Sequence, residues 1–168
     1  MDERRSLTLF KKASALVMDV DGVLTDGSLL VMENGDQLRT MNIRDGYALQ
    51  LAVKKGLTVI VITGGNSQGV VKRMNNLGIH HFISGTNEKA SALKKMAEEL
   101  KLDLATTIYI GDDMPDFEAM KLCGIPCCPA DACSEIISVS RYVSPFKGGA
   151  GCVRDILEKV LKLQNKWS

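Results

Sequence analysis

Ala15-Leu16-Val17-Met18-Asp19-Val20-Asp21-Gly22 is an apolar run that ends in two carboxylates and a glycine. Residues 15–20 read as a strand, and so short and continuous an apolar run suits one covered on both faces. A buried strand that ends in acid delivers charge to one edge of a sheet. Asp19 and Asp21, two apart in an extended chain, lie on the same side of it.

Outward from this stretch the pattern repeats. LTVIVIT at 57–63 is a β-branched run and predicts a second buried strand. Asn66 is positioned to cap a helix that carries Val70, Met74 and Leu77 on one face and stops at Gly78. Residues 81–84 read as a short strand. Asn87 then caps a helix with Ala90, Leu93, Ala97 and Leu100 inward. A strand over 106–110 precedes a helix over 115–122 with proline in its first turn. Weaker strands are expected at 125–129 and 142–144, and an amphipathic helix at 151–164. Alternation of this kind implies right-handed crossovers. The expected fold class is therefore α/β: a three-layer αβα arrangement around a mostly parallel, Rossmann-like sheet. One segment breaks the rhythm. Residues 28–32 and 36–42 flank Glu33-Asn34-Gly35, a hairpin signal, and the hairpin is expected to form a flap over the end of the first strand.

The chain has 168 residues, 45% hydrophobic and 24% charged. That fits one domain over 1–168 with a packed core and excludes wholesale disorder. Lys and Arg total 21 and Asp and Glu 20, for a net charge of +1. Such a balance argues against a generic nucleic-acid or membrane-surface binder. The chain opens without a signal-peptide pattern and has no apolar run of the roughly 20 residues that span a bilayer, so a cytoplasmic location is expected. Five cysteines, with no C-x-x-C pair, read as free buried thiols. Adjacent His80 and His81 do not suggest zinc.

Ligands of open α/β sheets bind beyond the carboxyl ends of the strands. There the sequence places Asp19 and Asp21, then Thr63-Gly64-Gly65, then Lys89 at a helix start, then Gly111-Asp112-Asp113 with Asp116 one turn on. Each feature alone is commonplace: acidic turns are usually solvated, and a lysine at a helix start usually lies on the surface. Their order and shared edge carry the reading. Clustered carboxylates need a cation, and oxygen-only ligands favour Mg²⁺. A lysine, a threonine and a glycine turn beside them suit a phosphoryl group. One aspartate can attack phosphorus while the other protonates the leaving oxygen.

At these residues the sequence resembles the haloacid dehalogenase superfamily of phosphatases. Asp19-Val20-Asp21-Gly22-Val23-Leu24-Thr25 is similar to its first motif, Thr63 to its second, Lys89 to its third, and Gly111-Asp112-Asp113-Met114-Pro115-Asp116 to its fourth. Asp26-Gly27, Asn42-Ile43-Arg44-Asp45-Gly46-Tyr47, Arg73-Met74 and Gly148-Gly149-Ala150-Gly151 narrow the resemblance to the 3-deoxy-D-manno-octulosonate (Kdo) 8-phosphate phosphatase family. The resemblance implies release of Kdo for lipopolysaccharide synthesis, no large cap domain, and a homotetramer with hairpins at its centre. It implies Asp19 as nucleophile and Mg²⁺ ligand. Asp21 would be general acid and base, with its carbonyl on the metal, and Asp112 would be the third protein ligand. Asp113 and Asp116 would orient metal waters and Lys89. Thr63, Gly64 and Lys89 would hold the phosphoryl oxygens. Asn42, Arg44, Asp45 and Gly46 would line the substrate pocket, and Arg73 would meet a substrate anion.

Two positions depart from that pattern: Gln50 and Gly65 stand where the family often has arginine. A nonulosonate 9-phosphate is therefore a second substrate reading. Two other classes share parts of the pattern. A phospho-receiver domain also uses acids, a hydroxyl, a lysine and Mg²⁺, but it lacks an acid two residues after its phospho-acceptor. A non-catalytic assembly domain, as found fused to sialate cytidylyltransferases, is resembled at Pro129-Ala130-Asp131-Ala132-Cys133. The intact Asp19/Asp21 pair and Lys89 favour an enzyme.

Overall fold

A computed structural model describes residues 3–168. Helix α1 (Glu3–Lys12) leads into β1 (Ala15–Met18), and the hairpin β2 (Leu30–Val31) and β3 (Gln37–Leu38) follows. Next come α2 (Ile43–Lys54), β4 (Thr58–Ile62), α3 (Gln68–Asn76), β5 (His81–Ile83), α4 (Lys89–Leu100) and β6 (Thr107–Ile110). The chain continues through α5 (Phe117–Leu122), β7 (Ile125–Cys128), α6 (Ser134–Val139), β8 (Tyr142–Val143) and α7 (Cys152–Leu163). Six strands form a parallel sheet in the order β5-β4-β1-β6-β7-β8.

The two-residue period of the strands sorts side chains onto two cores. Leu16, Met18, Val59, Val61, Ile108 and Ile110 face α1, α2, α3 and α7. Val17, Ile60, Ile62 and Tyr109 face α4, α5 and α6. Both faces are covered, as the continuous apolar strands anticipate, and no cap domain interrupts the chain among the described residues. All five cysteines are free thiols; four are buried and Cys133 is half-buried.

The topology positions the site. After β1 the chain builds β4 and β5 on one side, then crosses to build β6, β7 and β8 on the other. The order therefore reverses at β1, and a crevice opens at its carboxyl end. Ladder hydrogen bonds continue past the strand ends: Asp19 N–H donates to Ile110 C=O at 3.1 Å, and Thr63 N–H to Ile83 C=O at 2.9 Å. Asp19, Thr63 and Gly111 thus leave the sheet on one edge.

Several local expectations are revised. Ser67, not Asn66, caps α3, its hydroxyl accepting from Val70 N–H at 3.4 Å. Asn87 does not cap α4; Glu88 holds that position with no side-chain cap bond. Helix α2 was not foreseen from periodicity, although Asn42 caps it by accepting from Arg44 N–H at 2.8 Å. Such a cap contributes about 1 kcal/mol. The hairpin forms, with a three-residue loop: Gly35 N–H donates to Met32 C=O at 2.9 Å, and Gly35 adopts φ +87°. Asn-Gly serves here as the turn end followed by a left-handed residue, not as a two-residue loop.

Candidate active site

β1 hands the chain to a tight loop in which Val23, Leu24 and Thr25 N–H all donate to Val20 C=O. Gly22 turns that loop at φ +80°, and a Cβ on it would lie 1.9 Å from Asp112 Oδ2. Only glycine lets the carboxylate from β6 approach the loop from β1 so closely. Gly148 packs beneath: a Cβ there would lie 1.9 Å from Gly22 C=O.

Lys89 is the centre of the arrangement. It opens α4 and is 3% exposed, with Nζ 2.6 Å from Asp19 Oδ2 and 2.8 Å from Asp116 Oδ1. Asp19 Oδ1 accepts from Val20 N–H at 2.7 Å, which fixes the rotation of the carboxylate. Asp116 Oδ1 also accepts from the buried Tyr109 hydroxyl at 2.8 Å. Its other oxygen is buried with no partner.

Asp19, Asp112 and Asp116 bring carboxylate oxygens within 4.8 Å of one another. Three carboxylates against one ammonium leave a doubly negative cluster, which suits one divalent cation. Burial, then repulsion from Asp116 and Asp19, pushes Asp112 up to about 7. Asp116 is raised by burial and by Asp19, with Lys89 opposing. Burial pulls the Lys89 ammonium down, but Asp116 and Asp19 outweigh it and its pKa is raised. Converging carboxylates with no histidine or thiolate among them are a donor set that fits a hard cation with oxygen ligands.

Thr63 is buried, and its Oγ1 accepts from Gly65 N–H at 3.1 Å; Gly64 follows it, exposed. Asp21 lies outside the carboxylate cluster, its side chain held by Arg39 from the end of the hairpin at Nε–Oδ1 2.6 Å and Nη2–Oδ2 3.1 Å. Asp113 is exposed and caps the turn Met114–Asp116, accepting from Met114 N–H at 2.8 Å.

The residues expected around the substrate divide. Gly46 and Arg73 adjoin: a Cβ on Gly46 would lie 2.6 Å from the Arg73 guanidinium. Arg73 lines a cleft of about 400 Å³ with Arg39 and Ser67. Asn42 and Asp45 instead use their side chains on the fold. Asn42 caps α2 and donates to Gly149 C=O at 3.3 Å. Asp45 is buried and accepts from Arg154 N–H at 2.6 Å at the start of α7. Burial raises its pKa to about 6. Arg44 is exposed and lines a separate cleft beside Arg154 and Lys159.

Sequence reasoning did not single out Arg39 or Tyr109. Tyr109 carried a signal, since a tyrosine mid-way along a buried strand needs a partner for its hydroxyl. Arg39 carried none, because its reach depends on how the hairpin folds back.

Comparison with known proteins shows which family the chain belongs to. Residues 78–154 match the haloacid dehalogenase-like hydrolase family. The 3-deoxy-D-manno-octulosonate 8-phosphate phosphatase of Salmonella typhi is 34% identical over 160 residues, covering 95% of this chain and 85% of that protein. Its Escherichia coli K12 counterpart is 36% identical over 151 residues, covering 90% and 80%. The crystal structure of the Moraxella catarrhalis phosphatase of the same name, in complex with magnesium, phosphate and KDO, superposes with a TM-score of 0.95. It is 33% identical and covers 99% of this chain and 95% of that one.

Proposed function

The chain belongs to the 3-deoxy-D-manno-octulosonate 8-phosphate phosphatases of the haloacid dehalogenase-like hydrolases, and on that premise we propose that it hydrolyses Kdo 8-phosphate to Kdo and phosphate, with Mg²⁺ as cofactor. The observation that carries the reading is Lys89 bridging Asp19 and Asp116 beside Asp112, at the point where the strand order reverses. The product would feed lipopolysaccharide precursor synthesis.

In this reading an Asp19 oxygen attacks phosphorus, and the bond from phosphorus to the sugar oxygen breaks. Asp21 gives its proton to that oxygen, which leaves as the free sugar hydroxyl. Asp21 then takes a proton from water, the water oxygen attacks phosphorus, and the aspartyl phosphate breaks to Asp19 and inorganic phosphate. Thr63, the Gly64 N–H and Lys89 hold the phosphoryl oxygens as charge develops. Asp19, Asp112 and the Asp21 carbonyl are the ligands for Mg²⁺, which when bound neutralises the carboxylates and the phosphoryl oxygens. Asp116 orients Lys89, and Asp113 holds the turn that carries Asp116. Gly46 and Arg73 form the substrate wall, with Asn42 and Asp45 fixing its backbone, while Arg44 lines a separate cleft and has no part in it.

A steady-state screen of sugar-acid phosphates with Mg²⁺ tests this. Kdo 8-phosphate is expected to have the highest kcat/KM, and chelation of Mg²⁺ to abolish turnover. Gly65 and Gln50 favour one rival: a nonulosonate 9-phosphate turned over faster would replace Kdo 8-phosphate as the substrate.

We also take residues 1–168 as one catalytic domain acting as a homotetramer. The hairpin supports assembly: Leu30 and Val31 are 63% and 64% exposed, and Leu38 is 50% exposed. So apolar a flap would be covered by neighbouring copies. Sedimentation is expected to give a tetramer for the native protein and smaller species for Leu30→Asp; a monomeric native protein would defeat this. No helix among the described residues is long and apolar enough to cross a membrane. The proposed location is the cytoplasm, tested by recovery with the cytosolic fraction.

A further inference from the structure

Arg39 leaves the second arm of the hairpin and turns back over the end of β1. Its side chain is only 8% exposed, and it grips Asp21 with two parallel hydrogen bonds, at 2.6 Å and 3.1 Å. A third donor, Nη1, meets Gln37 C=O at 3.2 Å and braces the guanidinium against its own strand. A planar fork on a carboxylate is the geometry arginine provides and lysine does not.

Two observations give this pair a meaning beyond the fold. Arg39 stands between two spaces. On one side it borders the reacting end with Asp21, Thr63 and Gly65. On the other it lines the cleft of about 400 Å³ that Arg73 also lines. That cleft has two guanidinium groups in its wall and no carboxylate, and among the described residues no acid pairs with Arg73. The second observation is the bareness of Gly65. A Cβ there would lie 3.3 Å from Arg39 Nη2 and 3.3 Å from Asp21 Oδ2. Any larger residue would contend with the guanidinium for that place.

We propose that Arg39 is a specificity-determining residue that reads the carboxylate of the sugar-acid phosphate, releasing Asp21 as it does so. The proposal rests on the phosphatase reading above. A single fork cannot hold two carboxylates bidentately. Exchange of Asp21 for the substrate carboxylate conserves the two charge-assisted hydrogen bonds, so the free-energy difference between the two partners is small. Arg73, unpaired in the same cleft, biases the exchange toward the substrate. A phosphate ester without a carboxylate offers Arg39 no new partner, and Asp21 stays engaged. Discrimination then appears in kcat as well as in KM, because the residue that must meet the leaving oxygen is released only by the correct substrate.

The test compares Arg39→Met and Arg39→Lys with the native enzyme, all with Mg²⁺. The substrates are Kdo 8-phosphate and sorbitol 6-phosphate, a primary phosphate ester with no carboxylate. Turnover of p-nitrophenyl phosphate reports that each variant is folded. For Arg39→Met, kcat/KM on Kdo 8-phosphate is expected to fall about a hundredfold, and the inhibition constant of free Kdo to rise by a similar factor. Turnover of sorbitol 6-phosphate is expected not to fall, because loss of the guanidinium frees Asp21 without any carboxylate contact to lose, and Arg39→Lys is expected to fall between. Equal losses on both esters, or unchanged inhibition by Kdo, would overturn the proposal. A native enzyme that prefers another carboxylated sugar phosphate defeats the substrate identity instead, and the Arg39 comparison is then read on that ester.

Discussion

Replacement of Asp19 by asparagine is expected to lower kcat by at least about 10⁴-fold while leaving the fold intact. Asparagine matches the shape of aspartate and keeps an oxygen for the Val20 N–H that Asp19 Oδ1 now accepts at 2.7 Å. Lys89 keeps Asp116 at 2.8 Å, so the buried ammonium is not stranded. The loss is therefore chemical: an amide is a poor nucleophile toward phosphorus. Acid-quenched native enzyme, mixed with substrate, should carry covalent phosphate on Asp19, and the variant should carry none. A variant within about tenfold of native kcat would remove Asp19 as nucleophile. A native protein that labels and slowly loses phosphate without sugar-phosphate turnover would instead revive the receiver reading.

The residues legible in the sequence are those whose place follows from topology alone. Asp19, Thr63, Lys89 and Asp112 stand at or just after strand ends, and a parallel sheet sends all such ends to one edge. The fold class was legible for the same reason, since 15–20 and 57–63 are too apolar for a strand with a wet face. What escaped depends on three-dimensional approach. Arg39 reaches Asp21 across 18 positions because the hairpin folds back, and no periodicity encodes that. Asn42 and Asp45 carry the residue types of a polar pocket, yet their oxygens meet the starts of α2 and α7. Asn and Asp favour helix starts for physical reasons of their own, so residue type alone could not separate the two roles. Asn66 and Ser67 are both good caps, and only the backbone decided between them.

Lys89→Met should be the most damaging single change to the site after loss of the nucleophile, and its effect on stability should depend on pH and Mg²⁺. The ammonium is the one cation that the described ion pairs place on Asp19 and Asp116. Methionine fills similar space without charge, leaving three crowded carboxylates with no counter-ion. Asp112 is already raised from 3.8 to about 7 in the folded native protein. A folded pKa above the unfolded one means the associated stability is full below the unfolded value and fades as pH rises through the folded value. Removing Lys89 raises the folded pKa of Asp116 further, since the lysine now lowers it. The melting-temperature deficit of the variant should therefore widen from about pH 5 to about pH 8. Saturating Mg²⁺ should narrow it most at the alkaline end, where the carboxylates are ionised and no proton competes for them. Activity should not recover with stability. In the proposed mechanism the variant lacks the cation that holds the phosphoryl oxygens, and kcat should stay about 10³-fold down even with Mg²⁺. A deficit independent of pH and Mg²⁺ would show that Lys89 supports only packing, and kcat within about tenfold of native would remove it from the chemistry.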